Sequence, residues 1–133
     1  MSFFKKMVAL VVAVALLASA ASAELVELNP ENFHRIVNDP TKNVFVMFYA
    51  PWCGHCNHMK PAWQELSDQY PISGSTIIAR VDASAHRGIA KEFDINGFPT
   101  LKFFSKRDKS GNKQFTGPRD LSAFEVFVKS NMM

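Results

Sequence analysis

Val44-Phe45-Val46-Met47-Phe48-Tyr49-Ala50-Pro51-Trp52-Cys53-Gly54-His55-Cys56 is the stretch on which the reading of this chain turns. Its first half is an unbroken apolar run rich in β-branched and aromatic residues. That is the pattern of a strand covered on both faces, as in the middle of an α/β sheet. Ala50 and Pro51 interrupt it, and a helical pattern then runs from Cys53 to about Gln69. Met59, Trp63, Leu66 and Tyr70 mark its buried face at spacings of four, three and four. Pro61 falls inside this helix, where it removes one backbone bond and should kink the helix near Asn57.

The thiols of Cys53 and Cys56 therefore stand where a buried strand gives way to a helix. A thiol in the first helical turn faces unpaired backbone N–H groups and the positive end of the helix dipole, both of which favour thiolate. Cysteines three apart on one turn have Cβ atoms about 5–6 Å apart, close to the disulfide window, so a small adjustment joins them. Cys53, the outer one, reads as the nucleophile. Cys56, a turn deeper, reads as the resolving thiol with the higher pKa. A purely structural disulfide is an alternative, but so short a loop constrains the unfolded chain little. Zinc held by Cys53, Cys56, His55 and His58 is another, yet four ligands within six residues do not converge tetrahedrally. Attachment of a c-type haem needs histidine directly after the second cysteine, where this chain has Asn57.

Outward from this centre, strand and helix signals alternate. Val26 and Leu28 suggest a short strand. Asn29-Pro30 supplies a capping side chain and an initiating proline for a helix through Phe33 and Ile36-Val37, which Asp39-Pro40 ends. Thr76 to Val81 is a further strand, Arg87 to Phe93 a short helix, and Leu101 to Phe104 with Lys113 to Phe115 a hairpin pair. Leu121 to Val128 forms a terminal helix with Phe124, Phe127 and Val128 inward. The dense basic stretch Lys102 to Lys113 surrounds Ser110-Gly111-Asn112 and reads as a solvated turn. One α/β domain over residues 24–133 is expected.

The run Phe48 to Cys56 resembles the active site of protein disulfide isomerase, a family of thioredoxin fold. Gly97-Phe98-Pro99-Thr100 resembles the family's cis-proline loop, and Phe115-Thr116-Gly117-Pro118-Arg119 the loop that carries its arginine. The resemblance implies a central mixed sheet flanked by helices, with Pro99 in the cis form facing Cys53 and Cys56. It implies that the backbone of Phe98 pairs with an extended peptide and that Pro99 keeps a metal from bridging the thiols. Trp52 would shield the thiols and touch peptide, Gly54 and His55 would tune the redox pair from between the cysteines, and Arg119 would swing toward Cys56 to lower its pKa. The residues alone read Pro99 as a turn before a strand and Arg119, equally well, as a cap on the last helix with Asp120.

The chain departs from that pattern at two positions. Met47 stands where the family usually has Glu and the thioredoxins have Asp, a buried carboxylate that moves protons to and from the inner cysteine. Asn57 replaces the usual basic residue after the second cysteine. The larger relatives string several such domains around a peptide-binding domain, and the absence of these here argues against isomerisation of bulky substrates. His58 and His86 read as solvated, and Trp63 as core.

Of 133 residues, 47% are hydrophobic and 20% charged, which excludes disordered and fibrous classes. The net charge of +3 includes Lys5 and Lys6 of an N-terminal segment that reads as a secretory signal: a positive start, the apolar run Met7 to Leu17, and the small residues Ala21-Ser22-Ala23 before Glu24. Residues 1–23 are therefore expected to be removed, leaving a nearly neutral chain without stable membrane insertion. No basic stripe argues for nucleic acid. Entry to the secretory pathway implies an oxidising compartment in which two cysteines can cycle. The endoplasmic reticulum lumen is the expected location, and export is also open because the chain ends Ser130-Asn131-Met132-Met133 rather than in a Lys-Asp-Glu-Leu type tail.

The combined reading is a monomeric thiol-disulfide oxidoreductase of isomerase type without a dissociable cofactor or metal. It would act on unfolded or cysteine-containing polypeptides, with glutathione or another thiol as redox partner. Two alternatives stand beside it. One is a dedicated reductase of thioredoxin type; the other is a binding module in which Trp52, Phe98 and Tyr49 form an apolar rim and the thiols are incidental.

Overall fold

Asn43–Tyr49 forms the central strand β2, and each of its seven residues is buried. The structure, a computed structural model, describes residues 25–132, so the expected signal segment lies outside the described residues. β2 runs parallel to β3 (Thr76–Asp82) and antiparallel to β4 (Thr100–Ser105). β1 (Val26–Leu28) adds parallel to the far side of β3, and β5 (Asp108–Phe115) adds antiparallel to β4. The order β1-β3-β2-β4-β5 is the mixed sheet that the resemblance implied.

Both faces of this sheet are covered, which explains why β2 tolerates no polar position between Val44 and Tyr49. Phe45, Met47 and Tyr49 point to one face, where they pack with α2 (Gly54–Asp68) and α4 (Leu121–Asn131) through Met59, Trp63, Phe124 and Phe127. Val44, Val46 and Phe48 point to the other, against α1 (Phe33–Val37) and α3 (Arg87–Glu92). Strand side chains alternate with period two, so one seven-residue run serves two cores. Trp63 is fully buried as expected, and its indole N–H donates to the Ala79 carbonyl at 3.1 Å. Asn29 was expected to cap α1 with Pro30 at its first position, but the helix begins at Phe33 with Asn32 at its N-cap; Asn29 instead organises the turn before it, its Oδ1 accepting from the N–H groups of Glu31 and Asn32 while Asn32 Oδ1 accepts from the Asn29 N–H at 2.7 Å. α2 continues as helix through Pro61.

The hairpin corrects one expectation. Ser110-Gly111-Asn112 is not the turn; it lies inside β5, and Ser105 pairs directly with Asp108, so Lys106 and Arg107 make the reversal. The register shifts between Phe103 and Ser105, and β5 bulges there. Asp108 organises the bulge by accepting from the Gly111 N–H and the Ser110 hydroxyl, both at 3.0 Å. A Cβ on residue 111 would push the Asp108 carboxylate out of its present place in the bulge. The same Ser-Gly-Asn signal fits a turn and a bulge, so the sequence does not separate them.

Asn43 is the one strongly polar side chain buried at the start of β2. Its Nδ2 donates to the Met132 carbonyl at 3.0 Å and its Oδ1 accepts from the Lys106 N–H at 2.9 Å, tying the hairpin turn and the chain's last described turn to the central strand. Asn43→Ala should therefore lose about 1–3 kcal/mol of stability in urea titration, because it leaves two backbone groups without partners. A loss of a few tenths would show that water replaces both bonds.

Candidate active site

The site is assembled at the carboxyl end of β2. Its strand ends in the loop Ala50-Pro51-Trp52, which is pinned at both sides. The Cys53 N–H donates to the Ala50 carbonyl at 3.1 Å, and the Asn57 carboxamide reaches back to the Pro51 carbonyl at 3.1 Å. Asn57, noted in the sequence only as a lost positive charge, thus braces the loop that presents the cysteines.

Cys53 sits at the N-cap of α2 rather than within its first turn. Its Sγ takes the place of a capping oxygen and accepts from the Cys56 N–H at 3.2 Å. On its other side the Cys53 thiol donates to the Phe98 carbonyl at 3.6 Å. Both cysteines are free thiols, with Cys53 7% exposed and Cys56 not at all, so Cys53 is the outer sulfur as the spacing implied. Burial, and then the Cys53 thiol, push the Cys56 thiol up to about 11; an Ala50 backbone hydrogen bond and the charge of Arg119 pull weakly the other way.

Phe98-Pro99 is a cis peptide bond, and Pro99 is buried beside the pair. Trp52 is 73% exposed, its ring edge-on to half-buried Phe98 with centroids 5.8 Å apart. The two therefore form one apolar step next to Cys53. Gly54 and His55 lie exposed on the outer side of the first turn, and a Cβ at position 54 would meet open space. Arg119 is exposed between β5 and α4. Capping of α4 falls to Asp120, whose Oδ1 accepts from the Ala123 N–H at 2.8 Å, so Arg119 is free of that role. His58 is exposed and His86 half-buried at the start of α3. Among the described residues, no group of three or more His, Cys, Asp or Glu side chains is placed to hold a metal ion.

Met47 is fully buried and belongs to the same core cluster as Cys53 and Cys56. Tyr49, expected on an exposed rim, is instead 8% exposed, and its hydroxyl donates to Glu27 Oε2 at 3.0 Å. Burial and the neighbouring Glu27 carboxylate push the Tyr49 phenol up to about 12. Arg80 completes this cluster, donating to Glu27 Oε1 at 2.8 Å with its guanidinium 5.2 Å from the Tyr49 ring centroid. Glu27, Arg80 and Met47 share one row across β1, β3 and β2. No sequence signal revealed this cluster, because it depends on the register of two parallel strands far apart in the chain.

A family profile described as Thioredoxin matches residues 24–130. The chain belongs to the thioredoxin family. Within it, the chain is similar to protein disulfide isomerase-like 2-1 of Oryza sativa subsp. japonica, 43% identical over 110 residues, covering 83% of this chain and 30% of that one. It is also similar to probable protein disulfide-isomerase A6 of Medicago sativa, at 42% identity with the same coverage. The chain thus spans about a third of the length of these curated relatives. Among solved structures, human ERp44 (form I) superposes with a TM-score of 0.72 at 29% identity over 82% of this chain and 29% of that one. The mixed sheet, the cysteine pair at the start of a helix and the cis-proline are therefore features of a thioredoxin-family domain.

Proposed function

We propose that residues 24–133 form a thiol-disulfide oxidoreductase domain of protein disulfide isomerase type, delivered to the secretory pathway by residues 1–23, and resident in the endoplasmic reticulum or exported. The observation that carries the reading is the placement of the two sulfurs. Cys53 Sγ lies at a helix N-cap within 3.6 Å of the Phe98 carbonyl, and the buried Cys56 is one turn behind it.

In the reducing direction the Cys53 thiolate attacks one sulfur of a substrate disulfide. A Cys53–substrate bond forms, the substrate disulfide breaks, and its second sulfur leaves as a thiolate. Cys56 then loses its proton and attacks Cys53 Sγ, so the Cys53–Cys56 disulfide forms and the substrate leaves as a dithiol, having gained two electrons. Oxidation is the same sequence reversed, and rearrangement needs only the first half. Phe98 presents backbone to an extended substrate chain, Pro99 closes the site, and Trp52 covers the exchanging sulfurs. Glutathione or another small thiol resets the pair. Acceleration of disulfide rearrangement in a scrambled protein, in a glutathione buffer, tests the reading. A peptide-binding module would leave that rate unchanged and would keep its effect on aggregation after both cysteines were replaced.

His55 lies between the sulfurs on the exposed side of the turn, where an imidazole N–H stabilises a thiolate and so favours the reduced pair. His55→Pro should make the site more reducing by about 30 mV or more, roughly 1.4 kcal/mol for a two-electron couple. An unchanged potential in glutathione titration would make His55 a bystander.

A further inference from the structure

Beside Pro99 the surface sinks into two adjoining concavities that share Pro99, Gln114 and Arg119. One, of about 380 Å³, extends along Phe98 to Asp94. The other, of about 220 Å³, closes against Thr116 and Gly117. Cys53 lines neither concavity, but Phe98, which lines the larger one, has its carbonyl 3.6 Å from Cys53 Sγ, so the groove begins one residue from the outer sulfur.

The walls of this groove differ in sign. The β5 end and the β5–α4 connection carry the Gln114 carboxamide and the Arg119 guanidinium, both exposed. The segment between α3 and β4 carries Asp94. Both charges stand on anchored backbone. Asp94 has a φ of 52° at the end of α3, with its N–H bonded to the Lys91 carbonyl at 3.3 Å. Arg119 is held between Pro118 and the capping Asp120. A guanidinium and an amide N–H₂ lining the same groove are donors of the kind that suit a carboxylate.

We propose that Arg119 and Gln114 are specificity-determining residues that select a carboxylate on the substrate polypeptide within a few residues of its reacting cysteine. Asp94 on the opposite wall disfavours a second acid and favours a base. This inference rests on the exchange reading above. It concerns only which polypeptide disulfides are attacked quickly. In the step that reports it, Cys53 thiolate attacks a peptide sulfur, the Cys53–peptide bond forms, the peptide's disulfide bond breaks, and the leaving sulfur departs as thiolate to be protonated by water.

The test uses three peptides with one cysteine each, activated as disulfides with the same leaving thiol and differing only in Glu, Gln or Lys two residues after the cysteine. Second-order rates are compared as the Glu-to-Lys ratio within each protein. Any effect of Arg119 on the sulfurs is common to both peptides and cancels in that ratio. An exposed charge pair is weak, so wild type should favour the Glu peptide about three- to tenfold, with the ratio falling toward one in about 1 M salt. Arg119→Glu should invert the preference, Arg119→Lys should keep most of it, and Asp94→Asn should raise the Glu-to-Lys ratio. A ratio unmoved by Arg119→Glu overturns the assignment while leaving the exchange reading intact. If none of the three peptides reacts faster with wild type than with a free thiol of the same concentration, the exchange reading fails and this inference falls with it.

Discussion

Cys53→Ser should abolish disulfide exchange down to the rate of buffer alone, whereas Cys56→Ser should still attack and then accumulate covalent complexes with its substrates. The asymmetry follows from placement. Cys53 is the sulfur that meets solvent and the Phe98 carbonyl, and Cys56 is wholly buried behind it. Without Cys53 no substrate sulfur is reached. Without Cys56 the mixed disulfide has no internal thiol to displace it and waits for an external one. Non-reducing electrophoresis after incubation with a scrambled protein distinguishes the two variants. Trapped complexes with Cys53→Ser, and none with Cys56→Ser, would exchange the two roles.

Release of substrate from the mixed disulfide should be slow at neutral pH and should rise about tenfold per pH unit. Resolution requires Cys56 thiolate, and burial, the largest cause of its raised pKa and one that persists when Cys53 is joined to substrate, keeps that thiol mostly protonated at neutral pH. The sign is fixed by the direction of the shift: a raised thiol pKa means less nucleophile at low pH, and the deficit shrinks as pH climbs. Attack by Cys53 does not require Cys56 to ionise and should lack this slope. Met47 sharpens the effect, because the core cluster that holds the pair has a thioether at the position where the family's carboxylate would accept the proton. Met47→Glu should therefore speed release at pH 7 and flatten its pH dependence. It should also lose about 1–3 kcal/mol of stability, since a carboxyl replaces a packed apolar side chain. Stopped-flow measurement of release between pH 6 and 8 decides the matter. Rapid, pH-independent release by wild type would mean that another group takes the proton.

The legible parts of the site were those carried by contiguous residues. The run Val44 to Tyr49 announces a doubly covered strand because no residue in it tolerates water on either face, and the helix after it follows from the spacing of Met59, Trp63 and Leu66. Resemblance extended this to Phe98, Pro99 and Arg119. Ser110-Gly111-Asn112 misled because small polar residues suit a turn and a bulge equally, and only pairing with β4 distinguishes them. Tyr49 misled for a related reason: its alternation places it correctly on the α2 face, yet nothing near it in sequence says that Glu27 waits there to take its hydroxyl.

By itself, then, the sequence determined the two-sided core, the helix that carries the cysteines and their order from outer to inner, whereas the missing acid at Met47 was legible only through the family resemblance. The first three depend on residues a few positions apart, whose mutual geometry is set by strand and helix periodicity alone. Tertiary structure alone decided that Cys53 caps its helix while its thiol meets the Phe98 carbonyl, and that Asn57 braces the loop. It also decided that Glu27, Arg80 and Met47 fall in one row, and that Asp94 and Arg119 line one groove. Those relations join segments separated by long stretches of chain, and they exist only once parallel strands have settled into register and the loops at one end of the sheet have been brought together.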